Sequence, residues 1–133
     1  MARLHVVALD ARLPAWAEAA CAEYAKRMPK GYEVSRLSLK ENKVKSVTKG
    51  MRIVALDERG KDLTTAQFAE LLKKETAFVI GGADGLDPEV KAGAFMLLRL
   101  SSLTLPHALA QVVLLEQIYR AATLLTGHPY HRA

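Results

Sequence analysis

Residues 52–88 read RIVALDERGKDLTTAQFAELLKKETAFVIGGADGLDP, and the alternation within this stretch decides the fold class. Arg52 to Asp57 is a short apolar run of strand length, ending in the charged, glycine-containing segment Asp57-Glu58-Arg59-Gly60-Lys61. Thr64 or Thr65 can cap a helix over TAQFAELLKK, where Phe68, Leu71 and Leu72 make one apolar stripe. Thr76 to Ile80 is a second strand, followed at once by Gly81-Gly82-Ala83-Asp84-Gly85. Strand, helix, strand is the unit from which parallel sheets are built.

The same alternation continues outward in both directions. Toward the N-terminus, Leu4 to Leu9 is an apolar run, and Pro14 opens an alanine-rich helix, AWAEAACAEYAKRM, that Pro29 and Gly31 close. Tyr32 to Leu39 has the β-branched and aromatic content of a strand, and Lys40 to Gly50 is polar and basic, a loop or frayed helix on the surface. Toward the C-terminus, Pro88 starts a helix over DPEVKAGAFMLL, and Leu100 to Leu105 forms a short strand or extended loop. A last helix runs from about His107 to Leu125, ended by Gly127 and Pro129. The expectation is an α/β fold, a mostly parallel sheet with helices on both faces, in one domain spanning 1–133.

The chain has 133 residues, 50% hydrophobic and 25% charged, an ordinary folded composition. Cys21 is the lone cysteine, which excludes an internal disulfide and suits a reducing compartment. Asp10 and Arg12 interrupt the first apolar run too early for a secretory signal, and no segment has about 18 uninterrupted apolar residues, so a cytoplasmic protein without a membrane span is expected. The net charge of +5 is unevenly placed. Residues 1–52 hold eleven Lys/Arg against five Asp/Glu, and the remainder holds eight against nine. Nine of the basic residues lie between Lys26 and Arg52, which reads either as a phosphate-backbone footprint or as a solvated basic face.

In an open α/β sheet, ligands bind beyond the carboxyl ends of strands, which singles out Leu56 to Lys61, Gly81 to Leu86 and Leu100 to His107. The GGADG turn lacks both GxGxxG and the phosphate-loop lysine, so it is no nucleotide fingerprint, and an ordinary strand-to-helix turn also accounts for it. Ser101, Ser102 and Thr104 alternate with Leu100, Leu103 and Leu105, which can offer backbone groups to an adenine edge beside an apolar slot, or form a half-buried edge strand. The last helix is apolar nearly all round, which points to a subunit interface and a homodimer. Glu116 and Arg120 stand four apart on it and can pair, or the carboxylate can point into a site. The terminal HPYHR holds His128, Tyr130, His131 and Arg132, groups able to stack on bases, move protons near neutrality and hold phosphate. Pro129 breaks the helical alignment that two histidines would need to share a metal, so no metal is expected.

Taken together, LxxLTLPHxL, the GGxxGL turn, the helix with ExxYRA and the terminal HPYHR resemble the ribosomal large subunit methyltransferase H family, a small member of the SPOUT class. PAWAEAACAEYAKRMP and RIVALDERGK extend the resemblance over nearly the whole chain. It implies an S-adenosyl-L-methionine-dependent enzyme that methylates N3 of a pseudouridine in large-subunit (23S) ribosomal RNA, with the assembled ribosome as substrate. It also implies a C-terminal trefoil knot and a homodimer in which both subunits contribute to each site. Carried over by the match, cofactor contacts fall on Leu56, Gly81, Leu100, Ser101, Ser102, Leu103, Thr104 and Leu105. Catalytic or RNA-positioning roles fall on Glu116, His128, Tyr130, His131 and Arg132, with His131 the first candidate to accept the proton. One departure is the short Lys40 to Arg52 connection, where family members commonly carry a longer helical segment. Two other classes fit the residues: a dimeric RNA-binding module of the ribosome without catalysis, and a nucleotide-binding α/β protein, which the missing phosphate-loop motif disfavours.

Overall fold

The computed structural model describes residues 2–9, 12–82 and 85–132, with the side chains of Ala2, His131 and Arg132 outside the described set. Five strands form one parallel sheet: β1 (Ala2–Leu9), β2 (Tyr32–Leu39), β3 (Arg52–Lys61), β4 (Thr76–Ile80) and β5 (Met96–Leu98), in the order β2-β1-β4-β3-β5. Between them run α1 (Ala15–Lys26), α2 (Val44–Val47), α3 (Thr65–Leu71) and α4 (Pro88–Ala92), and after β5 the long α5 (His107–Thr126). Each crossover helix returns the chain to the amino ends of the strands, so every strand ends at the same edge of the sheet.

Because side chains alternate along a strand, Val6 and Val7 enter different cores. On one face Leu4, Val6, Val54 and Phe78 pack with Cys21 of α1, Phe68 and Leu71 of α3, and Leu114, Leu115, Ile118, Ala121 and Ala122 of α5. On the other, Val7, Leu9, Ala55 and Val79 pack with Val44 and Val90 of the short α2 and α4. The expected helices on both faces are present, and β4, buried at every position, has the continuous apolar character of a central parallel strand. α5 is long and apolar enough to cross a membrane by length and composition, but its buried residues build the first of these cores.

Local chemistry explains most element ends. Thr64, not Thr65, caps α3: its hydroxyl accepts the Gln67 N–H while the Gln67 side chain accepts the Thr64 N–H. Gly127, at φ +77°, closes α5 in the left-handed conformation that glycine adopts without strain.

Three expectations are corrected. The helix read over 87–98 stops at Ala92, because Gly93 and Ala94 turn the chain and the Phe95 N–H donates to the Ile53 carbonyl. Residues Met96–Leu98 thereby join the sheet as its edge strand. The charged segment after Asp57 is not simply a loop. β3 continues to Lys61, and both Leu56 and Lys61 pair with Leu98, so residues 57–60 arch past β5. The Lys40 to Gly50 connection lies less loosely on the surface than expected, since a 3₁₀ turn (Glu41–Lys43) leads into α2, and Val44 and Thr48 are buried, the Thr48 hydroxyl donating to the Val44 carbonyl.

The arch brings two backbones into contact at Gly60, where a Cβ would meet the carbonyl carbons of Leu97 and Leu98 at 2.6 Å. Gly60→Ala should therefore lower unfolding free energy by about 1–3 kcal/mol in denaturant titration. Gly93→Ala, whose added carbon meets only the Glu89 carbonyl oxygen at 3.5 Å, should change it by less than about 0.5 kcal/mol.

Candidate functional site

The arch within β3 and the segments after β4 and β5 surround one cavity of about 900 Å³. Leu56, Gly81, Leu100, Ser101, Ser102, Leu103, Thr104 and Leu105 all line it. Its placement follows from the sheet: parallel strands deliver their loops to one edge, and β4 inserted between β1 and β3 gathers the last three there. Gly81 is required first by the turn itself, because a Cβ there would lie 2.7 Å from the carbonyl group of Gly85. Residues 99–106 are a loop, not the half-buried edge strand that was the alternative. The Ser101 hydroxyl accepts the Leu103 N–H at 2.9 Å, Leu100 and Leu105 are half-buried, and Leu103 is 75% exposed.

Sequence reasoning left parts of the wall outside its three segments: Ile80, Lys91, Leu98, Arg99 and Ala110. Lys91 and Asp57 form an ion pair at 2.7 Å, with the Asp57 side chain only 7% exposed. The hydrogen bond from Lys91, helped by the Arg59 N–H, holds the Asp57 carboxyl below the usual carboxylate range, so this wall keeps a fixed negative charge. Asp57 stood in a flagged post-strand segment, but nothing in the local sequence marks Lys91 as its partner.

The C-terminal cluster lies elsewhere. A 3₁₀ turn (Pro129–Arg132) folds the tail back onto α5. The Tyr130 hydroxyl donates to Glu116 Oε2 at 2.9 Å, the Arg120 guanidinium donates to the same oxygen and lies 4.9 Å from the Tyr130 ring centre, and the Tyr130 ring meets Tyr119 edge-on at 4.5 Å. Gln117 donates to Glu116 Oε1 at 2.8 Å and accepts from Thr65 of α3, which ties the cluster to the core. Of the two readings of Glu116, the pairing with Arg120 is observed, and the same carboxylate also receives the tail. Its two oxygens are occupied, which fits a clamp better than a base. Burial, with hydrogen bonds to Tyr24 and Glu116, pushes the Tyr130 phenol well above the ordinary tyrosine range. Tyr130 therefore stays a neutral donor at physiological pH. The ring of His128 accepts the Tyr130 N–H at Nδ1. The side chains of His131 and Arg132, both expected to act in catalysis, lie outside the described residues. Among the described residues, no three His, Cys, Asp or Glu side chains gather as a metal-ligand set.

His107 stands at the cavity and Gly127 closes α5 about 30 Å away, but the tail folds back along the helix as far as Glu116, about 14 Å from His107. Among the described residues, none of the tail or of its Glu116 cluster lines the cavity.

Known proteins resemble this chain along its length. The family described as "Predicted SPOUT methyltransferase" matches residues 2–131. Proteins named "Ribosomal RNA large subunit methyltransferase H" from Paraburkholderia xenovorans (strain LB400) and Ralstonia nicotianae (strain ATCC BAA-1114 / GMI1000) are 46% and 47% identical over 154 aligned positions. Each alignment covers 98% of this chain and 99% of the relative. Among solved structures, a TrmH/SpoU tRNA modifying enzyme of A. aeolicus superposes with a TM-score of 0.61 at 15% identity, over 94% of this chain and 77% of that one. The SpoU methyltransferase AviRb of Streptomyces viridochromogenes, solved with the cofactor AdoMet, gives 0.59 at 14% identity over 87% and 56%.

The Tyr130 shift has a checkable sign. A phenol whose pKa is raised on folding adds stability that is fully present below the unfolded value of about 10 and is lost as pH rises through the folded value. The stability difference between wild type and Tyr130→Phe should stay level from about pH 7 to 9 and shrink above about pH 10. Absorbance titration should show the slowest-ionising tyrosine missing from the variant.

Proposed function

From the premise that the chain belongs to the SPOUT methyltransferase family, we propose that it transfers a methyl group from S-adenosyl-L-methionine to N3 of a pseudouridine in large-subunit ribosomal RNA. The assembled ribosome is the substrate, and the cytoplasm the place of action. The observation that carries this reading is the cavity at the carboxyl ends of β3, β4 and β5, which brings together every residue to which the resemblance assigns cofactor contact. The residues fit the group. A cavity of about 900 Å³ has the size of small-molecule sites, half-buried Leu100 and Leu105 supply an apolar wall, and the open loop 99–106 offers backbone donors and acceptors for an adenine edge. When bound, the cofactor supplies an electrophilic methyl on a sulfonium.

The chain's own residues have the remaining tasks. Tyr130, clamped to Glu116 and Arg120, fixes the fold-back of the tail and so positions His128, His131 and Arg132. His131 accepts the proton that the pseudouridine nitrogen must lose, and Arg132 holds a phosphate or the oxygen that gains charge. The absence of the described tail residues and of their Glu116 clamp from the cavity wall supports a composite site, in which the tail serves the cavity of a second copy. Leu109, 36% exposed, and Trp16, 57% exposed, add apolar surface on α5 and α1 for such a homodimer. In each copy the 133 residues act as one domain, with the C-terminal trefoil knot that the family resemblance implies.

Methyl transfer from labelled cofactor to ribosomes and to naked ribosomal RNA, followed by mapping of the modified nucleotide, tests the reading; transfer to neither, or to a base other than a pseudouridine, would overturn it. His131→Ala should reduce turnover about 100-fold or more and leave cofactor affinity within a few-fold in calorimetry. For the composite site, Ser102→Trp and a chain lacking residues 128–133 should each be inactive alone. Mixed and reassorted, they should recover about a quarter of the wild-type rate, because half the dimers then hold one intact site of two.

A further inference from the structure

Most cations of the basic half do not face the cavity. Because every strand is parallel and the helices run back, the carboxyl ends of α1 and α3, the amino ends of all five strands and the end of α5 share the opposite pole. Arg3, Lys26, Lys30, Lys49 and Lys74 lie at this pole, all exposed, and among the described residues none of them forms an ion pair. Other basic residues are paired, Arg27 with Glu23, Arg36 with Glu18, Lys45 with Glu89 and Lys73 with Glu70, while among the described residues Lys40 and Lys43 are exposed without an ion pair at the other end of the sheet.

The same pole carries an exposed aromatic that the core does not use. Phe95, just before β5, is 59% exposed, and the Arg52 guanidinium lies 4.6 Å from its ring centre. Arg52 is held there from the other side, its Nη2 donating to the Leu71 carbonyl at the end of α3 and its backbone N–H to Glu75. Lys74 sits in that same turn between α3 and β4. Of the other exposed large apolar side chains, Trp16, Leu103 and Leu109 lie on α1, the cavity loop and α5, so Phe95 stands apart from the surface assigned to the second copy.

We infer that this pole is an RNA-docking surface, in which Phe95, backed by Arg52, stacks on an unpaired base while Lys30, Lys49 and Lys74 follow the phosphate backbone. The inference rests on the ribosomal RNA reading above. A fixed guanidinium beside an exposed ring is a stacking platform that any base can use, and unpaired lysines around it contribute affinity through counterion release. The tail emerges at this pole, so RNA held here lies beside the residues proposed to act on it.

Phe95→Ala, and separately Lys30→Glu with Lys74→Glu, should be compared with wild type in filter binding of large-subunit ribosomal RNA, in steady-state methyl transfer to ribosomes, in cofactor calorimetry and in size-exclusion chromatography. Phe95→Ala is expected to weaken RNA binding and raise KM about 5- to 10-fold, with kcat, cofactor affinity and oligomeric state unchanged. The double charge reversal should also lower the slope of log affinity against log salt by about two. RNA affinity at the wild-type level in both variants would overturn the inference, as would a changed oligomeric state in Phe95→Ala with unchanged RNA affinity, which would assign the surface to a protein contact. RNA binding is read without turnover, so a chain that binds RNA through this pole yet transfers no methyl would sink the enzymatic reading alone.

Discussion

Parallel pairing of all five strands is the constraint from which the rest of the structure follows. Backbone hydrogen bonds of β1 to β2 and β4, and of β3 to β4 and β5, set one direction for the sheet, and direction alone separates an edge of loops from an edge of helix ends. The loops make the cavity, and the helix ends collect basic residues and the tail. α5 spans the two edges, and its twenty residues set the distance between them.

The C-terminal cluster shows how a short tail is held without a core of its own. Tyr130 is bonded to Glu116, packed on Tyr119 and covered by Arg120, and Glu116 is oriented in turn by Gln117, which reaches α3 through Thr65. A half-buried carboxylate with both oxygens satisfied acts as an anchor, because hydrogen bonds to a charged group inside a partly dry environment are stronger than those in water. The residues whose contacts are complete hold the tail, and the proton transfer proposed above is left to its imidazoles.

Legibility in the sequence followed the range of the interactions. Strands at 32–39 and 76–80, the proline and glycine limits of α1 and α5, and the loops after β4 and β5 depend on local composition and turn chemistry and are legible directly. Residues 87–98 were misread because a short apolar run after a proline-initiated helix suits either element. The Ile53 carbonyl, more than forty residues away in the chain, decides for strand. The Asp57–Lys91 pair, the continuation of β3 to Lys61 against Leu98, and the approach of Tyr24 to Tyr130 are likewise contacts between distant segments, invisible to any local pattern. The basic run between Lys26 and Arg52 was legible as charge but not as geometry, since folding spends Arg36 on Glu18 and Lys45 on Glu89 and sends its remaining members toward different ends of the molecule.

The dependence of one core face on α5 also has a consequence for biosynthesis. Strands β1 to β4 and helices α1 to α3 leave the ribosome first, and their pairing needs nothing that follows, because β5 adds only at the edge against β3. Leu4, Val6 and Phe78, covered in part by α1 and α3, nonetheless stay incompletely covered until Leu114, Leu115 and Ile118 arrive with α5, near the end of translation. A nascent chain in this state presents a broad apolar sheet face to its surroundings. Completion of the last helix is then the event that closes the core, and any pairing of finished chains through Leu109 must wait for it.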